Sequence, residues 1–366
     1  MINIPEISIN WINKVVKEHR DADKILVEKA IRALLLVEGL VKFKVPFVFK
    51  GGTALMLLMK STKRLSIDID IILPKSSDRL DEILDKVASS QGFIRKERQQ
   101  RNTTGKIKKE HYKFFYTPIH KSKADEESIL LDMLYEDLHY QNIIEVPVQS
   151  NFVPVISEPL LVRVPCFEDI LGDKLTAFAP NTTGIPYFKN GDSMSMEIIK
   201  QLYDIGSLFD VVNNMANIRS TFIKFVETEF SYMVDLTMTL SDVVEDIYHT
   251  SLCIVTRGAD GKGDFDQLQL GIQRVDRFIF SENYHLEKAI THSSKAAYLA
   301  MLIKFKAEKI EKLSDPMEMK DWTISTPLNT KLNRLKKSNP EAFFYWYKTY
   351  ELIVEKSEHL NTLHRF

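Results

Sequence analysis

Two aspartates, Asp68 and Asp70, lie two residues apart in the segment Arg64-Leu-Ser-Ile-Asp-Ile-Asp-Ile-Ile. Side chains alternate faces along a strand, so here Ser66, Asp68 and Asp70 share one side and Ile67, Ile69 and Ile71 the other. Two carboxylates crowded on one face of so apolar a strand repel each other. They are also poorly solvated unless a cation lies between them. A divalent metal removes that conflict, and hard oxygen donors suit Mg²⁺ or Mn²⁺. A solvated edge strand whose acids face water is the alternative. Upstream, Lys50-Gly-Gly-Thr53 follows a short apolar run. Glycines let the backbone approach a ligand closely, and the start of a following helix offers unpaired N–H groups and a favourable dipole. A Gly-Gly pair also serves any plain turn; beside the paired acids it places a phosphate seat next to a metal seat.

Further residues stand out. Asp132 is the one charge within Ile129-Leu-Leu-Asp-Met-Leu-Tyr135, which argues for a specific partner. Lys174 falls within or beside a helical stripe of Phe167, Leu171, Leu175 and Phe178. A lysine there is costly unless it snorkels or meets an anion. Lys200 and Asp204 are four apart on a helix, where a plain surface ion pair is open. Arg95, Lys96, Arg98, Arg101, Lys106, Lys108, Lys109 and Lys113 gather around Tyr112, Phe114 and Phe115. Basic side chains interleaved with aromatics can follow a phosphate backbone and stack bases. A second basic set is Lys331, Arg334, Lys336 and Lys337. A solvated hairpin and a solvated helix are the alternatives.

The elements that must position these residues can be read coarsely. Helices are expected over 8–19 and 22–42, a strand over Phe47–Phe49, and a tight turn at 50–53 leading into a helix Ala54–Met59. A strand Ser66–Leu73 ends at Pro74, and 78–90 has the pattern of an exposed helix. Between 94 and 123 two strands are joined by a basic turn around Thr104–Lys106, and Ser128–Tyr135 is another strand. Helical periods then dominate: 167–179, 195–213, 217–232, 239–252, 264–279, 294–313 and 340–356. The fold class is α+β, with domains of 1–160 and 161–366. Lys plus Arg (49) balances Asp plus Glu (50), so nucleic-acid binding would have to come from a local patch. Cys166 and Cys253 are far apart in sequence, which gives no disulfide framework and points to a reducing cytoplasm. No signal-peptide pattern opens the chain, and no run nears the ~18 apolar residues of a membrane span.

The pattern Gly-Gly-Thr, helix, then Asp-x-Asp on the next strand resembles the DNA-polymerase-β-like nucleotidyltransferase superfamily. The fuller form, Lys50-Gly-Gly-Thr-Ala-Leu55 with Arg64-Leu-Ser-Ile-Asp-Ile-Asp-Ile71, is similar to its AbiEii/AbiGii branch, nucleotidyltransferase toxins of type IV toxin–antitoxin and phage-defence systems. Glu168-Asp-Ile-Leu-Gly-Asp-Lys174 resembles that family's second motif. Lys200-Gln-Leu-Tyr-Asp204-Ile resembles its third, with Gln201 in place of an acid. The likeness covers 44–75 and 165–212, and loosely what lies between.

The resemblance implies a polymerase-β-like core, a short mixed sheet with flanking helices, plus a helical C-terminal domain that contributes Lys174 and Asp204 to the cleft. Asp68 and Asp70 would hold one or two Mg²⁺ or Mn²⁺ ions, and Asp132 would accept the proton of the acceptor hydroxyl or bind the second metal. Lys50, Gly51, Gly52, Thr53, Arg64, Ser66 and Lys174 would surround an NTP. The activity implied is transfer of NMP from NTP to an acceptor, with tRNA or another RNA expected and a cognate antitoxin as partner. If an antitoxin acts by modifying the toxin, Ser66 is a target, since a phosphate there repels NTP. Other readings are transfer to a protein hydroxyl, a small-molecule enzyme of the aminoglycoside-modifying kind, and an inactive RNA-binding module.

Overall fold

Ser8 and Asp23 each start a helix by offering a side-chain oxygen to the orphan N–H groups of its first turn. Ser8 accepts from Trp11 ahead of α1 (Ile9–Glu18), and Asp23 from Ile25 and Leu26 ahead of α2 (Lys24–Lys42). The computed structural model describes residues 1–20, 22–59, 63–75, 79–99, 108–120, 125–233 and 237–363, without the side chains of 108 and 356–363. The chain divides into two compact units: Met1–Cys166 with Asp276–Asn283, and Phe167–Val275 with Tyr284–Phe366.

In the first unit α2 is buried along most of its length, so its charged residues need partners. Glu28 accepts the backbone N–H groups of Ile119 (2.9 Å) and His120 (3.3 Å). Glu38 accepts from Ile2 at 2.7 Å. A five-stranded mixed sheet follows, built from β1 (Val48–Lys50), β2 (Ile69–Leu73), β3 (Arg95–Gln99), β4 (Lys108–Tyr116) and β5 (Glu127–Tyr135). The spatial order is β1-β2-β5-β4-β3; β2 and β5 run parallel and the other neighbours antiparallel. Helix α3 (Gly51–Leu58) connects β1 to β2, and α4 (Leu80–Ser90) precedes β3.

Alternation divides the sheet into two faces. Ile69, Ile71, Tyr112, Phe114, Tyr116, Ile129, Leu131 and Met133 are buried on the face that α2 and α4 cover. Each such large side chain contributes roughly 1.5–3 kcal/mol by leaving water. A one-residue slip would turn that set to the other side, so the register is strongly held. The opposite face carries Asp70, His111 and Asp132, each only partly buried.

A hairpin of β6 (Ile143–Pro147) and β7 (Leu161–Pro165) packs beside β1. It was not expected, because no short turn signal joins its strands. The segment 276–283 returns to this unit and pairs with the approach to β2: Leu65 N–H donates to Phe278 at 2.7 Å, and Arg64 bridges to Ile279. The phenyl ring of Phe280 packs edge-on against Phe152 and His19.

The second unit contains α5 (Phe167–Ala177), a two-stranded ribbon of β8 (Phe188–Lys189) and β9 (Asp192–Ser193), then α6 (Ser195–Phe209), α7 (Met215–Tyr232), α8 (Leu240–Val255), α9 (Phe265–Val275), α10 (Leu286–Lys304), α11 (Leu335–Ser338) and α12 (Pro340–Leu363). Helix α10 packs on α6, α8 and α12 and is buried from Ala289 to Ile303. The expected helix at 294–313 is therefore eight residues too late at its start. The first turns of α10 are polar in sequence, yet tertiary partners satisfy them: Lys295 reaches Asp210 at 2.7 Å and Glu341 at 2.8 Å. The helix stops where Lys306 takes a positive φ of 56°, a left-handed C-terminal cap. Among the described residues no helix is long and apolar enough to cross a membrane.

Candidate functional site

Strand β1 passes directly into α3, so Gly51 and Gly52 form the first turn of that helix rather than a separate turn before Ala54. Gly51 has φ +81°, and a Cβ on it would lie 2.4 Å from Asp70 Oδ2. A Cβ on Gly52 would lie 2.7 Å from both Arg64 Nη2 and Ser66 Oγ. Both glycines are thus demanded by side chains pressed against the helix start. Buried Thr53 donates its hydroxyl to the Asp68 carbonyl at 2.7 Å, tying α3 to the segment that leads into β2.

Register then assembles a polar row on the open face of the sheet. Lys50 pairs with Asp70, Asp70 with Asp132, Asp132 with His111, and His111 with Gln99. Directly paired residues share a face on strands about 4.8 Å apart. Asp70 and Asp132 therefore stand side by side. His111 Nδ1 lies 2.6 Å from Asp132 Oδ1. Sequence reasoning missed His111; its alternation with Tyr112 and Phe114 marks the face it occupies, but only the β4–β5 register puts it on Asp132.

Asp68 sits differently from expectation. Strand β2 begins at Ile69, not Ser66: Arg64 and Leu65 bond to Ile279 and Phe278, Ser66 N–H donates to Met56 Sδ, and the Asp68 carbonyl accepts from Thr53. Asp68 is exposed just ahead of the strand. Among the described residues no three acidic, histidine or cysteine side chains form a ready-made metal cage. That donor set nonetheless suits Mg²⁺, which commonly takes one or two carboxylates and leaves its remaining positions to substrate phosphates and water. The in-register pair Asp70 and Asp132, with Asp70 held against the Gly51 backbone at a helix N-terminus, fits a divalent cation carrying a triphosphate.

Within the second unit the other motif residues converge. Lys174 on α5 is buried, and its Nζ lies 3.1 Å from Asp204 Oδ2 and 2.8 Å from Gln201 Oε1 on α6. The anion that Lys174 meets in this unit is thus a protein carboxylate. Lys200 faces Glu197 at 3.6 Å. Gln201 keeps an acceptor toward Lys174 without adding a second negative charge.

The basic segment splits over both faces of the sheet. Lys96 pairs with Asp81 (2.7 Å) and Asp85 (3.1 Å) on the α4 side, and Arg98 with Glu110 (2.9 Å). Arg95 pairs with Glu97 and Glu126 and covers the Phe115 ring at 3.6 Å. Tyr112 and Phe114 lie in the core and cannot stack bases; burial pushes the Tyr112 hydroxyl up to about 12. Lys109 and Lys113 stand on the Asp132 face, opposite Leu134 and Leu130. Arg101 and the turn 104–106 lie outside the described residues, as does the Lys108 side chain. In the second basic set, Lys336 donates to the carbonyls of Lys320 and Trp322, a structural task.

A family model described as "Nucleotidyl transferase AbiEii toxin, Type IV TA system" matches residues 34–250. Eight solved chains match in structure. One is JHP933 from Helicobacter pylori, 17% identical with a TM-score of 0.40, covering 78% of this chain and 94% of that one. Another, described as a "putative nucleotidyltransferase from H. pylori", is 20% identical with a TM-score of 0.39, covering 76% of this chain and 94% of that one. No curated protein sequence matches.

Proposed function

The chain belongs to the AbiEii nucleotidyl transferase toxin family of type IV toxin–antitoxin systems, and from that premise we propose that it transfers NMP from an NTP to RNA, with tRNA the preferred acceptor, in a reaction that needs Mg²⁺ or Mn²⁺. The observation that carries the reading is the in-register pair Asp70 and Asp132, with Asp70 seated against Gly51.

Asp70 and Asp132, with Asp68 at the mouth of β2, would hold the metal. When bound, the metal supplies positive charge to the triphosphate as pyrophosphate leaves. The N–H groups of the first turn of α3 orient the phosphates, and Arg64 and Ser66 reach them beside Gly52. Asp132 accepts the proton of the acceptor hydroxyl while the acceptor oxygen bonds to the α-phosphorus and the bond to the β-phosphate oxygen breaks. Lys174, held by Asp204 and Gln201, is assigned to the triphosphate on the likeness of its motif. RNA is favoured as acceptor because Lys109 and Lys113 share the sheet face of the two carboxylates and stand opposite Leu134 and Leu130 on β5, although Lys113 also faces Glu97 on β3. Growth inhibition or phage defence in the cytoplasm, countered by a cognate antitoxin, is the proposed outcome. Modification of Ser66 would block NTP through charge and bulk at Gly52.

The test incubates each NTP, labelled at the α-phosphate, with total tRNA and Mg²⁺, using wild type and Asp70→Ala. Label on tRNA that the variant loses by more than about 100-fold supports the scheme. Label that appears on protein or a small molecule moves the acceptor. Undiminished transfer by Asp70→Ala overturns the site.

A further inference from the structure

We propose that His111 is a positioning residue for Asp132, holding that carboxylate in the orientation a divalent metal requires; the inference rests on the nucleotidyl-transfer reading above. Its basis is the sheet register. His111 on β4 lies directly opposite Asp132 on β5, and Asp132 directly opposite Asp70 on β2, so the three side chains form one line across the open face. The contact is short, 2.6 Å from Nδ1 to Oδ1. The imidazole is 12% exposed and the carboxylate 30%.

A carboxylate on a strand turns readily about its last torsion, whose energy profile is broad. A bond to Oδ1 from the β4 side fixes that plane. Oδ2 is then the oxygen left for a cation shared with Asp70, its in-register neighbour on β2. For the bond to form with an ionised carboxylate, Nδ1 must be the ring nitrogen that carries the proton, which also sets the tautomer. A general cross-strand stabilising pair is a poorer account. The other open-face positions of β4, Lys109, Lys113 and Phe115, stand opposite Leu134, Leu130 and Ser128. On the β4–β5 ladder the acid–base match on this face falls at the position adjoining Asp70, whereas Lys113 meets its acid, Glu97, on the far side at β3. The carboxylate-to-histidine arrangement found behind many metal ligands is here reversed, with the histidine behind the acid.

The probe is Mn²⁺ alone, titrated by electron paramagnetic resonance of the free ion into the full chain as wild type, His111→Leu, His111→Asn and Asp132→Asn. Thermal midpoints without metal verify folding. His111→Leu is expected to bind Mn²⁺ about 10–100-fold more weakly. His111→Asn, whose amide nitrogen occupies the place of Nδ1, is expected to stay within about 3-fold of wild type. In the transfer assay the leucine variant should lose kcat and keep its KM for NTP. Unchanged Mn²⁺ affinity in His111→Leu overturns the proposal, as does equal weakening in the leucine and asparagine variants, which would point to ring packing rather than the N–H. If His111→Leu does not fold, the asparagine variant decides: wild-type-like affinity supports the donor role, and a loss as large as that of Asp132→Asn overturns it. Wild type that binds no Mn²⁺ removes the metal site itself, an outcome distinct from one that spares the site and removes only the role of His111.

Discussion

Gly51 holds a left-handed φ with the Asp70 carboxylate where its Cβ would stand. Alanine there would meet two penalties at once, backbone strain of roughly 1–2 kcal/mol and displacement of Asp70, the proposed metal ligand. Gly51→Ala is therefore expected to lower the melting temperature and to reduce NMP transfer at least about 100-fold, since an ångström of misplacement at a reacting centre has that scale of effect. Wild-type transfer rates in Gly51→Ala would show that Asp70 need not be held against the helix start. The Gly-Gly pair and the two aspartates were legible in the sequence because residue type and spacing alone carry them. His111 was not, since a histidine in a basic strand gives no hint of which acid it will face.

At the scale of the element, β4 shows how pleating sorts residues that the sequence presents as a single patch. Its odd positions Lys109, His111, Lys113 and Phe115 lie on the Asp132 face, while Tyr112, Phe114 and Tyr116 enter the core. Lys96 and Arg98 on the neighbouring strand already hold carboxylates on the helix-covered side. If RNA is the acceptor, Lys109→Ala with Lys113→Ala should raise the KM for tRNA several-fold and flatten its salt dependence, because each lysine withdrawn from a phosphate lowers the salt slope by about one unit. Lys96→Ala with Arg98→Ala should change that KM by less than about 2-fold, because both side chains already serve protein carboxylates. The reverse ranking, read from transfer rates across a salt series, would place the acceptor on the other face. Helix α10 teaches the same lesson in the second unit. Its polar early turns hide a helix that is buried from Ala289 to Ile303, and Asp210 and Glu341 satisfy Lys295 within it.

For the molecule as a whole, 49 basic and 50 acidic residues leave no strong field, so recognition rests on local geometry. Neither cysteine is in a disulfide, and the two differ in access. Cys253 is buried on α8, and desolvation pushes its thiol up to about 11. Its reactive thiolate is therefore scarce at pH 8 and rises only as the pH approaches that value. Cys166 is partly exposed. A maleimide or disulfide reagent at pH 8 is expected to modify one thiol rapidly in the native chain and both in denaturant. Rapid modification of two thiols under native conditions would contradict the packing of α8.

The sequence by itself determined the α+β character, the strand–glycine–helix–strand order and the identity of the acids, because these depend on residue type and on periodicity within one segment. Helical periods, the Lys174 stripe and the Asp204 position were readable for the same reason. The tertiary structure alone decided who stands beside whom. Pairing of Asp70 with Asp132 and of Asp132 with His111, the meeting of Lys174 with Asp204, and the return of 276–283 to Arg64 and Leu65 all join residues distant along the chain. Such neighbours are set by strand register and helix packing, and these are settled only when the whole of each core is buried at once.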